Sequence, residues 1–444
     1  MSVASQRVVV PTVAPYPGVR DRLLAGVHAR EDLHAYLGAG GYTPVDDAMA
    51  LLTAVEEAGL RGRGGAAFPL GRKIHAVRNR HAAPIVVANG EEGEPTSVKD
   101  RWLMRHRPHL LLDGLRLAAA MAGPATGEIH VYVSDGESAH SLGQAVAELT
   151  ELGVWDADLR LTQVAPTYVA GEETAVVRAL NGGPARPTDK PPRPFEAGIA
   201  GRPTLVSNVE TLAHLPIIHR LGASGFRTLG TPDSTGTFLL SLTGVTTIGL
   251  LEVPFGVSLR QVLTWRDEDP TAVTAVLMGG YFAGVLGPRV LDVPLDYDML
   301  RNIGSGLGCG AVVLVPPERC PVSVAAALMD YYARENAGQC GSCFNGTAAM
   351  SVVLRDLAAH GARPADLDRL RHWSTFLPGR GACGTLDGAA QVAASLLREF
   401  PTLVASHLQR RCESCSTEPP LGDRPFALTP PSPSPSPSPS PSPS

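Results

Sequence analysis

The sequence of 444 residues has no apolar run approaching the roughly 18 residues of a membrane-spanning helix, so we expect no membrane span. The formal net charge is only −5, without the basic excess that marks nucleic-acid binding. The apolar stretch before Pro11 is too short for a secretory signal, and the seven cysteines are therefore not expected to form disulfides. These absences favour a cytoplasmic protein that reaches the inner face of a membrane only through partners.

Residues 59–73 combine glycine and positive charge more densely than any other segment. The glycines allow close backbone approach to a flat, charged ligand, and the cations suit phosphate; they are Gly62, Gly64, Gly65, Gly71, Arg61, Arg63, Arg72 and Lys73. Residues 46–60 have helical spacing, whereas a Rossmann fingerprint follows a strand. The segment is either a nucleotide-binding loop of another kind or a flexible surface loop.

Three further polar patches follow extended or turn-like segments. The apolar run 84–88 predicts a buried strand that leads into Asn89, Glu91, Glu92 and Glu94. This arrangement is typical of a ligand crevice at the carboxyl end of a parallel sheet. The second patch contains Tyr168, Gly171, Glu172 and Glu173, and the third contains Lys190, Ser207 and Asn208. Ser207-x-x-Glu210 also fits a capping box at a helix start.

Beyond residue 222 the pattern changes twice. Residues 237–244 and 249–256 predict a hairpin, followed by a short helix at 258–265 and strands at 274–280 and 311–315. Helical spacing begins at residue 322 and continues to about 408. From Pro430 the chain is a Pro-Ser repeat that cannot bury a core.

In this order, the patches resemble the NADH-binding flavoprotein subunit of respiratory complex I and its relatives in NAD-linked hydrogenases and formate dehydrogenases. The likeness runs from about Tyr36 to about Pro401. It implies an α/β fold class with a Rossmann-like FMN-binding domain, then a ubiquitin-like β-grasp (soluble ligand binding) domain, then a helical bundle with an iron–sulfur site. The predicted boundaries are an N-terminal segment 1–45, the FMN/NADH domain 46–225, the β-grasp domain 235–317, the iron–sulfur domain 320–410 and a disordered tail 416–444.

The resemblance also implies site residues. The FMN contacts fall on Gly62, Arg63, Gly64, Lys73, Asn89, Glu91, Glu92, Tyr168, Gly171, Glu172, Glu173, Ser207 and Asn208. The NADH contacts fall on Phe68, Lys73, Glu94, Glu173 and Lys190, and Glu94 and Glu173 are the candidate catalytic residues.

The chain departs from the family pattern around these positions. Ala67 replaces a glycine, Ser207 replaces an asparagine, and Ala76 and Arg193 replace the aromatic residues that flank NADH. The pocket for the adenine end is therefore expected to be altered. Arg193 either meets a 2′-phosphate, which would favour NADPH, or stacks on adenine.

The cysteines point to a second cofactor. By the resemblance, Cys340, Cys343 and Cys383 are ligands of a 4Fe–4S cluster, but the position of the first loop cysteine holds Ala337. The fourth ligand is then Cys320, Cys412 or Cys415, or water or hydroxide. The alternatives are a 3Fe–4S cluster, another metal or none. Cys309 is expected to be an ordinary core residue.

We therefore predict an FMN-dependent NAD(P)H dehydrogenase module that passes hydride from NADH to FMN and single electrons to an iron–sulfur cluster. Its partner is expected to be an electron-acceptor protein, either ferredoxin-like or a complex I-type subunit. Two alternatives stay open. One is a stand-alone NAD(P)H:ferredoxin-type or membrane-reductase partner, and the other is a degenerate FMN-binding scaffold without turnover.

Overall fold

The computed structural model describes residues 12–20, 22–24, 29–123, 128–153, 158–244, 248–412, 415 and 420–430. Its strands are β1 (Thr12–Pro15), β2 (Ile85–Gly90), β3 (Glu128–Val133), β4 (Asp158–Gln163), β5 (Thr204–Asn208), β6 (Thr237–Thr243), β7 (Ile248–Pro254), β8 (Ala275–Met278), β9 (Val285–Leu286) and β10 (Ala311–Val315). Its α-helices are α1 (Leu33–Gly38), α2 (Ala48–Ala58), α3 (Leu70–Arg78), α4 (Lys99–His106), α5 (Pro108–Ala122), α6 (Gly136–Glu151), α7 (Glu173–Leu180), α8 (Val209–Phe226), α9 (Leu259–Trp265), α10 (Tyr297–Asn302), α11 (Pro321–Glu335), α12 (Gly341–Ala358), α13 (Pro364–Phe376), α14 (Thr385–Glu399) and α15 (Pro401–Leu408).

The first sheet is fully parallel, with the strand order β4-β3-β2-β5. Its central strand β2 is almost continuously apolar because helices cover both of its faces. The predicted helix in residues 46–60 is confirmed as α2, and the predicted strand at 84–88 as β2. The α/β class of the prediction is thus confirmed, and the carboxyl ends of β2 and β5 meet at one edge of the sheet.

The second sheet is mixed, with the order β1-β7-β6-β10-β8-β9. Strands β6 and β7 form the predicted hairpin, α9 follows, and β10 returns parallel to β6. This hairpin, helix and parallel return strand have the topology of a β-grasp domain. The N-terminal segment contributes β1, which pairs parallel with β7 and extends the sheet at its edge.

The last region is helical. Helices α11 to α15 enclose an apolar core that includes Leu328, Met350, Leu370 and Leu396. No helix among the described residues is long and apolar enough to cross a membrane.

Part of the segment that we expected to be disordered is packed. Leu428 is 8% exposed, and its N–H donates to the carbonyl of Pro95 at 2.9 Å. The buried Tyr281 donates its hydroxyl hydrogen to the carbonyl of Pro425. A disordered tail beginning at residue 416 is therefore wrong, because Leu421, Phe426 and Leu428 supply apolar side chains that the Pro-Ser repeat lacks. Residues 431–444 lie outside the described part of the chain.

Candidate active site

A cleft of about 410 Å³ opens at the carboxyl ends of β2 and β5. Because these strands are parallel, the polar residues at their ends meet at one edge of the sheet. Ten predicted site residues line the cleft, namely Gly64, Asn89, Glu91, Glu92, Glu94, Tyr168, Gly171, Glu172, Asn208 and Cys383. The other nine lie outside its lining, and they are Gly62, Arg63, Phe68, Lys73, Glu173, Lys190, Ser207, Cys340 and Cys343.

The glycine loop borders the cleft with its backbone. The N–H of Gly62 donates to the carbonyl of Phe68 at 2.9 Å, which closes the loop. Phe68 itself is 52% exposed. A Cβ added to Gly64 would lie 3.2 Å from the Cβ of Asn208. Glycine is therefore needed at position 64, because a side chain would press on the residue that begins α8.

Ala67 lies in the left-handed region, with φ 53°. This conformation favours glycine, and Ala67 is the position at which the resemblance implies one. Its methyl group is buried against the core of the second sheet. The apolar contact partly offsets the backbone strain.

The side chain of Arg63 turns away from the cleft, contrary to the prediction that it contacts a cofactor. Its guanidinium donates to the carbonyls of Arg61 at 2.8 Å and of Thr235 and Thr237 at 3.1 Å each. It also stacks on the ring of Phe255, with 4.6 Å to the centroid. Arg63 thus ties the glycine loop to the second sheet, because buried backbone carbonyls there need a donor.

Glu91 is a buried carboxylate at the cleft. Neither of its oxygens has a hydrogen-bonding partner of ordinary geometry among the described residues. Burial, reinforced by the charge of Glu92, raises the pKa of Glu91 to about 8. A Cβ at Gly171 would lie 2.7 Å from Glu91 Oε2, so Gly171 leaves the space that this carboxyl group occupies.

Glu92 is satisfied by the protein itself. It accepts hydrogen bonds from the hydroxyl of Ser97 at 2.6 Å and from the backbone N–H groups of Asp100 and Arg101 at 3.1 Å each. The Arg101 guanidinium pairs with it at 3.0 Å. Burial alone would raise the pKa of Glu92, but Arg101, Lys99 and these hydrogen bonds outweigh burial and lower it. Its observed contacts anchor the start of α4.

Glu94 is held where the two sheets meet. Its carboxylate accepts from the hydroxyl of Thr96 at 2.8 Å and from the N–H of Tyr281 at 3.1 Å. Burial outweighs these bonds and raises the pKa of Glu94 to about 7. A Cβ at Gly280 would lie 2.2 Å from the carboxyl carbon, so the glycine gives Glu94 its place.

Two lysines and two glutamates form an ion-pair network beside the cleft. Lys73 Nζ lies 3.2 Å from Glu173, and Lys190 Nζ lies 2.6 Å from Glu172 and 3.6 Å from Glu173. Burial raises the pKa of Glu173, but Lys73 and Lys190 outweigh burial and lower it. The network reaches the cleft through Glu172, which also caps α7. The two candidate catalytic carboxylates therefore differ, since Glu173 is ionised whereas Glu94 titrates near neutrality.

The helix after β5 begins one residue later than the capping box predicts. Asn208, not Ser207, is the N-cap of α8, and its Oδ1 accepts from the N–H groups of Glu210 and Thr211. Glu210 bonds instead to the N–H of Leu239 at 2.8 Å and to Lys99 at 3.1 Å. The capping-box prediction is wrong because Glu210 compensates a buried lysine. Ser207 is buried within β5.

Sequence reasoning missed two residues of the cleft, Phe282 and Cys309. Phe282 is 42% exposed, which leaves an aromatic surface available to a planar ligand. Cys309 lines the cleft rather than being an ordinary core residue, and burial raises its pKa to about 12. The signal for this wall was the pair Gly279 and Gly280, which both have positive φ.

The three cysteines predicted as cluster ligands line one pocket, together with Pro187, Ala337, Gly338, Gln339, Gly381, Ala382 and Thr385. The N–H of Ala382 lies 3.4 Å from Cys340 Sγ. Burial, with Cys383 and Cys340 nearby, raises the pKa of Cys343 to about 12. Cys383 and Thr385 line this pocket and also the cleft, so the two sites share a wall.

The other candidate ligands lie elsewhere. Cys320, Cys412 and Cys415 gather around His407, and none of the four lines the pocket of Cys340. The prediction that one of these cysteines completes the cluster is not supported by this arrangement. The position of the missing ligand is occupied by the methyl group of Ala337, which has no donor atom.

Comparison with known proteins adds independent findings. The family described as the Nuo51 FMN-binding domain matches residues 55–217, and the iron–sulfur binding region of NADH-ubiquinone oxidoreductase-F matches residues 323–407. The second F-type subunit of the NADH-quinone oxidoreductase of Rhizobium meliloti is 34% identical over 86% of this chain and 95% of its own. The NADP-reducing hydrogenase subunit HndC of Solidesulfovibrio fructosivorans is 33% identical over 80% of this chain and 76% of its own.

A solved structure agrees with these relatives. The crystal structure of an NAD+-reducing [NiFe]-hydrogenase in the air-oxidized state matches with a TM-score of 0.76 and 32% identity, over 86% of this chain and 68% of that chain. The predicted resemblance is confirmed, and the chain belongs to the family of F-type subunits of NADH-quinone oxidoreductases, with the family's FMN-binding and iron–sulfur-binding regions.

Proposed function

We propose that this chain binds FMN in the cleft, takes electrons from NADH or NADPH there, and passes them to an iron–sulfur cluster at Cys340, Cys343 and Cys383. The shared wall of Cys383 and Thr385 carries this proposal. It leaves little protein between the two sites, as transfer of single electrons requires.

The cleft fits FMN by its unsatisfied groups. The Glu91 carboxyl group, buried without a partner of ordinary geometry, suits a ligand that brings hydroxyl or ring N–H groups. Gly64 leaves its side of the cleft open to a flat ring. Asn89 donates to the carbonyl of Gly171 at 2.8 Å and so holds the two loops of the cleft together. When bound, FMN accepts a hydride and releases electrons singly.

The residues around the cleft divide the remaining work. Glu94, with a pKa of about 7, can hold or release a proton near the reacting end of the dinucleotide. Lys73 and Lys190 hold Glu173 ionised and offer positive charge to the pyrophosphate. Phe68 and Phe282 expose aromatic surface that can cover the rings and exclude water. Arg193 is exposed on the loop after Lys190, where it can meet the adenine end.

The cysteine pocket fits a cluster with one corner that is not a thiolate. Three thiols converge, and thiolates are the usual ligands of iron–sulfur clusters. Ala337 also lines an adjoining groove of about 430 Å³, together with Arg334, Glu335 and Asn336. Water or hydroxide can therefore reach the fourth corner. An electron-acceptor protein, ferredoxin-like or a subunit of a larger complex, is the proposed partner.

Ala337→Cys tests this assignment. Anaerobically purified wild-type protein should contain iron and sulfide and lose them quickly in air, because the exposed iron leaves first. The variant should resist air and show a shifted cluster potential, since ligand identity sets that potential. Iron analysis and EPR of the dithionite-reduced protein measure both. Iron-free wild-type protein that still transfers electrons from NADH to an artificial acceptor would mean that the flavin works alone.

A further inference from the structure

Four side chains that the flavin and iron–sulfur sites do not use converge where the helical region begins. Cys320 is the residue before α11, His407 lies near the end of α15, and Cys412 and Cys415 follow that helix. Their ligand atoms all lie within 4.8 Å of one another. His407 and Cys320 are buried, and the other two cysteines are half-buried.

The histidine presents its free lone pair to the sulfurs. His407 Nδ1 lies 2.9 Å from the carbonyl of Leu357, which can only accept a hydrogen bond. The proton therefore sits on Nδ1, and Nε2 is left as an acceptor. Nε2 lies 3.3 Å from Cys320 Sγ and 3.7 Å from Cys415 Sγ. A backbone carbonyl that orients the second nitrogen is the usual support of a metal-binding histidine.

The spacing matches the edges of a tetrahedron around one small ion. With zinc–sulfur bonds of about 2.3 Å and zinc–nitrogen bonds of about 2.0 Å, tetrahedral ligands lie about 3.5 to 3.8 Å apart. The measured separations are 3.3 and 3.7 Å from nitrogen to sulfur, and 3.9 Å from Cys412 Sγ to Cys320 Sγ. An iron–sulfur cluster holds its thiolates on different iron atoms and spaces them more widely.

We propose that Cys320, His407, Cys412 and Cys415 bind a structural zinc ion that is separate from the iron–sulfur site. Three cysteines and one histidine fill all four positions of zinc, so this site has no open position for substrate. Zinc binding displaces the protons of the thiols, and its free energy adds to the stability of the folded chain.

The position of the site suggests what the zinc holds in place. The chain that follows Cys415 returns to the active site as residues 420–430, which we call the C-terminal strap. Pro425 accepts from Tyr281, and Leu428 bonds to Pro95 at 2.9 Å. Tyr281 and Pro95 both lie next to Glu94, in space or in sequence. The zinc site thus fixes the near end of a strap that packs behind this carboxylate.

Elemental analysis of the full chain, purified without a metal-chelating resin, tests the proposal. We expect about one zinc ion per chain beside any iron, and about a tenfold or greater loss of zinc in Cys412→Ser and Cys415→Ser. Cys340→Ser is the matched control, because it removes a thiol from the other pocket and should lose iron while keeping zinc. His407→Cys should also keep zinc, since four thiolates form an equally good site.

A second readout concerns the strap. In the two serine variants, trypsin should cleave after Arg424 faster than in the wild type, while Cys340→Ser should show the wild-type rate. The proposal is overturned if the wild type holds copper or no metal at these residues, if Cys412→Ser loses iron and sulfide instead of zinc, or if zinc content is the same in all variants. None of these outcomes depends on whether FMN and NADH bind as proposed.

Discussion

Glu91 and Glu92 are adjacent carboxylates for which the structure predicts opposite effects of the same substitution. Glu91 is 6% exposed, and neither oxygen has an ordinary hydrogen-bonding partner among the described residues. Its pKa is about 8 in the folded chain, against an ordinary value of 4.5. The folded protein therefore holds a proton at Glu91 that the unfolded chain has lost, and its stability falls as pH rises from about 4.5 to about 8.

The size of this effect follows from the two pKa values. Each pH unit between them corresponds to about 1.4 kcal/mol, so the ionised Glu91 destabilises the flavin-free protein by about 3 to 5 kcal/mol above pH 8. Glu91→Gln should remove that penalty and raise the free energy of unfolding at pH 9 by this amount. Near pH 5 the change should be small, because the neutral acid and the amide have similar shape and polarity.

Glu92→Gln should have the opposite sign. It removes a charge that Arg101, Ser97 and two backbone N–H groups stabilise, which we expect to cost about 2 to 3 kcal/mol at neutral pH. Urea denaturation of the flavin-free proteins across pH 5 to 9 would measure both effects, with a precision of about 0.5 kcal/mol. If Glu91→Gln lowers stability at pH 9, or keeps the pH slope of the wild type, the described environment of Glu91 is wrong.

Three further expectations concern the flavin loop, the dinucleotide site and the tail. Gly64→Val should abolish FMN copurification because its side chain would press on the N-cap of α8, whereas Gly143→Val, which has open space around it, should keep full flavin absorbance. Glu94→Gln should raise the KM for NADH by about tenfold with flavin content unchanged, and loss of flavin instead would contradict its placement. Removing residues 431–444 should leave the melting temperature unchanged, while removing residues 420–444 should lower it by several degrees, because Leu428 leaves the core. Equal melting temperatures of the two truncated proteins would show that the strap contributes nothing.

The sequence was most informative where the determinants are local. The spacing of apolar residues predicted α2, and the run of β-branched residues predicted β2, because each pattern reflects burial of one segment. The ends of β2 and β5 also carried the right residues for the cleft, since parallel strands bring their carboxyl ends together.

Determinants that are distant in sequence were missed. Arg63 has the charge of a phosphate ligand, yet its side chain bonds to carbonyls more than 170 residues away. Glu210 looked like part of a cap because nothing local shows that Lys99 is buried beside it. The three outlying cysteines looked like candidates for the cluster, because only the packing of α15 against α12 places His407 between them.

The most direct test of the central claim is anaerobic addition of NADH, and separately NADPH, to the protein as purified. The flavin absorbance should bleach, and the same sample should then show the EPR signal of a reduced iron–sulfur cluster. Protein that holds FMN and stays yellow with both dinucleotides would contradict the account, because it would bind the cofactor without oxidising NAD(P)H.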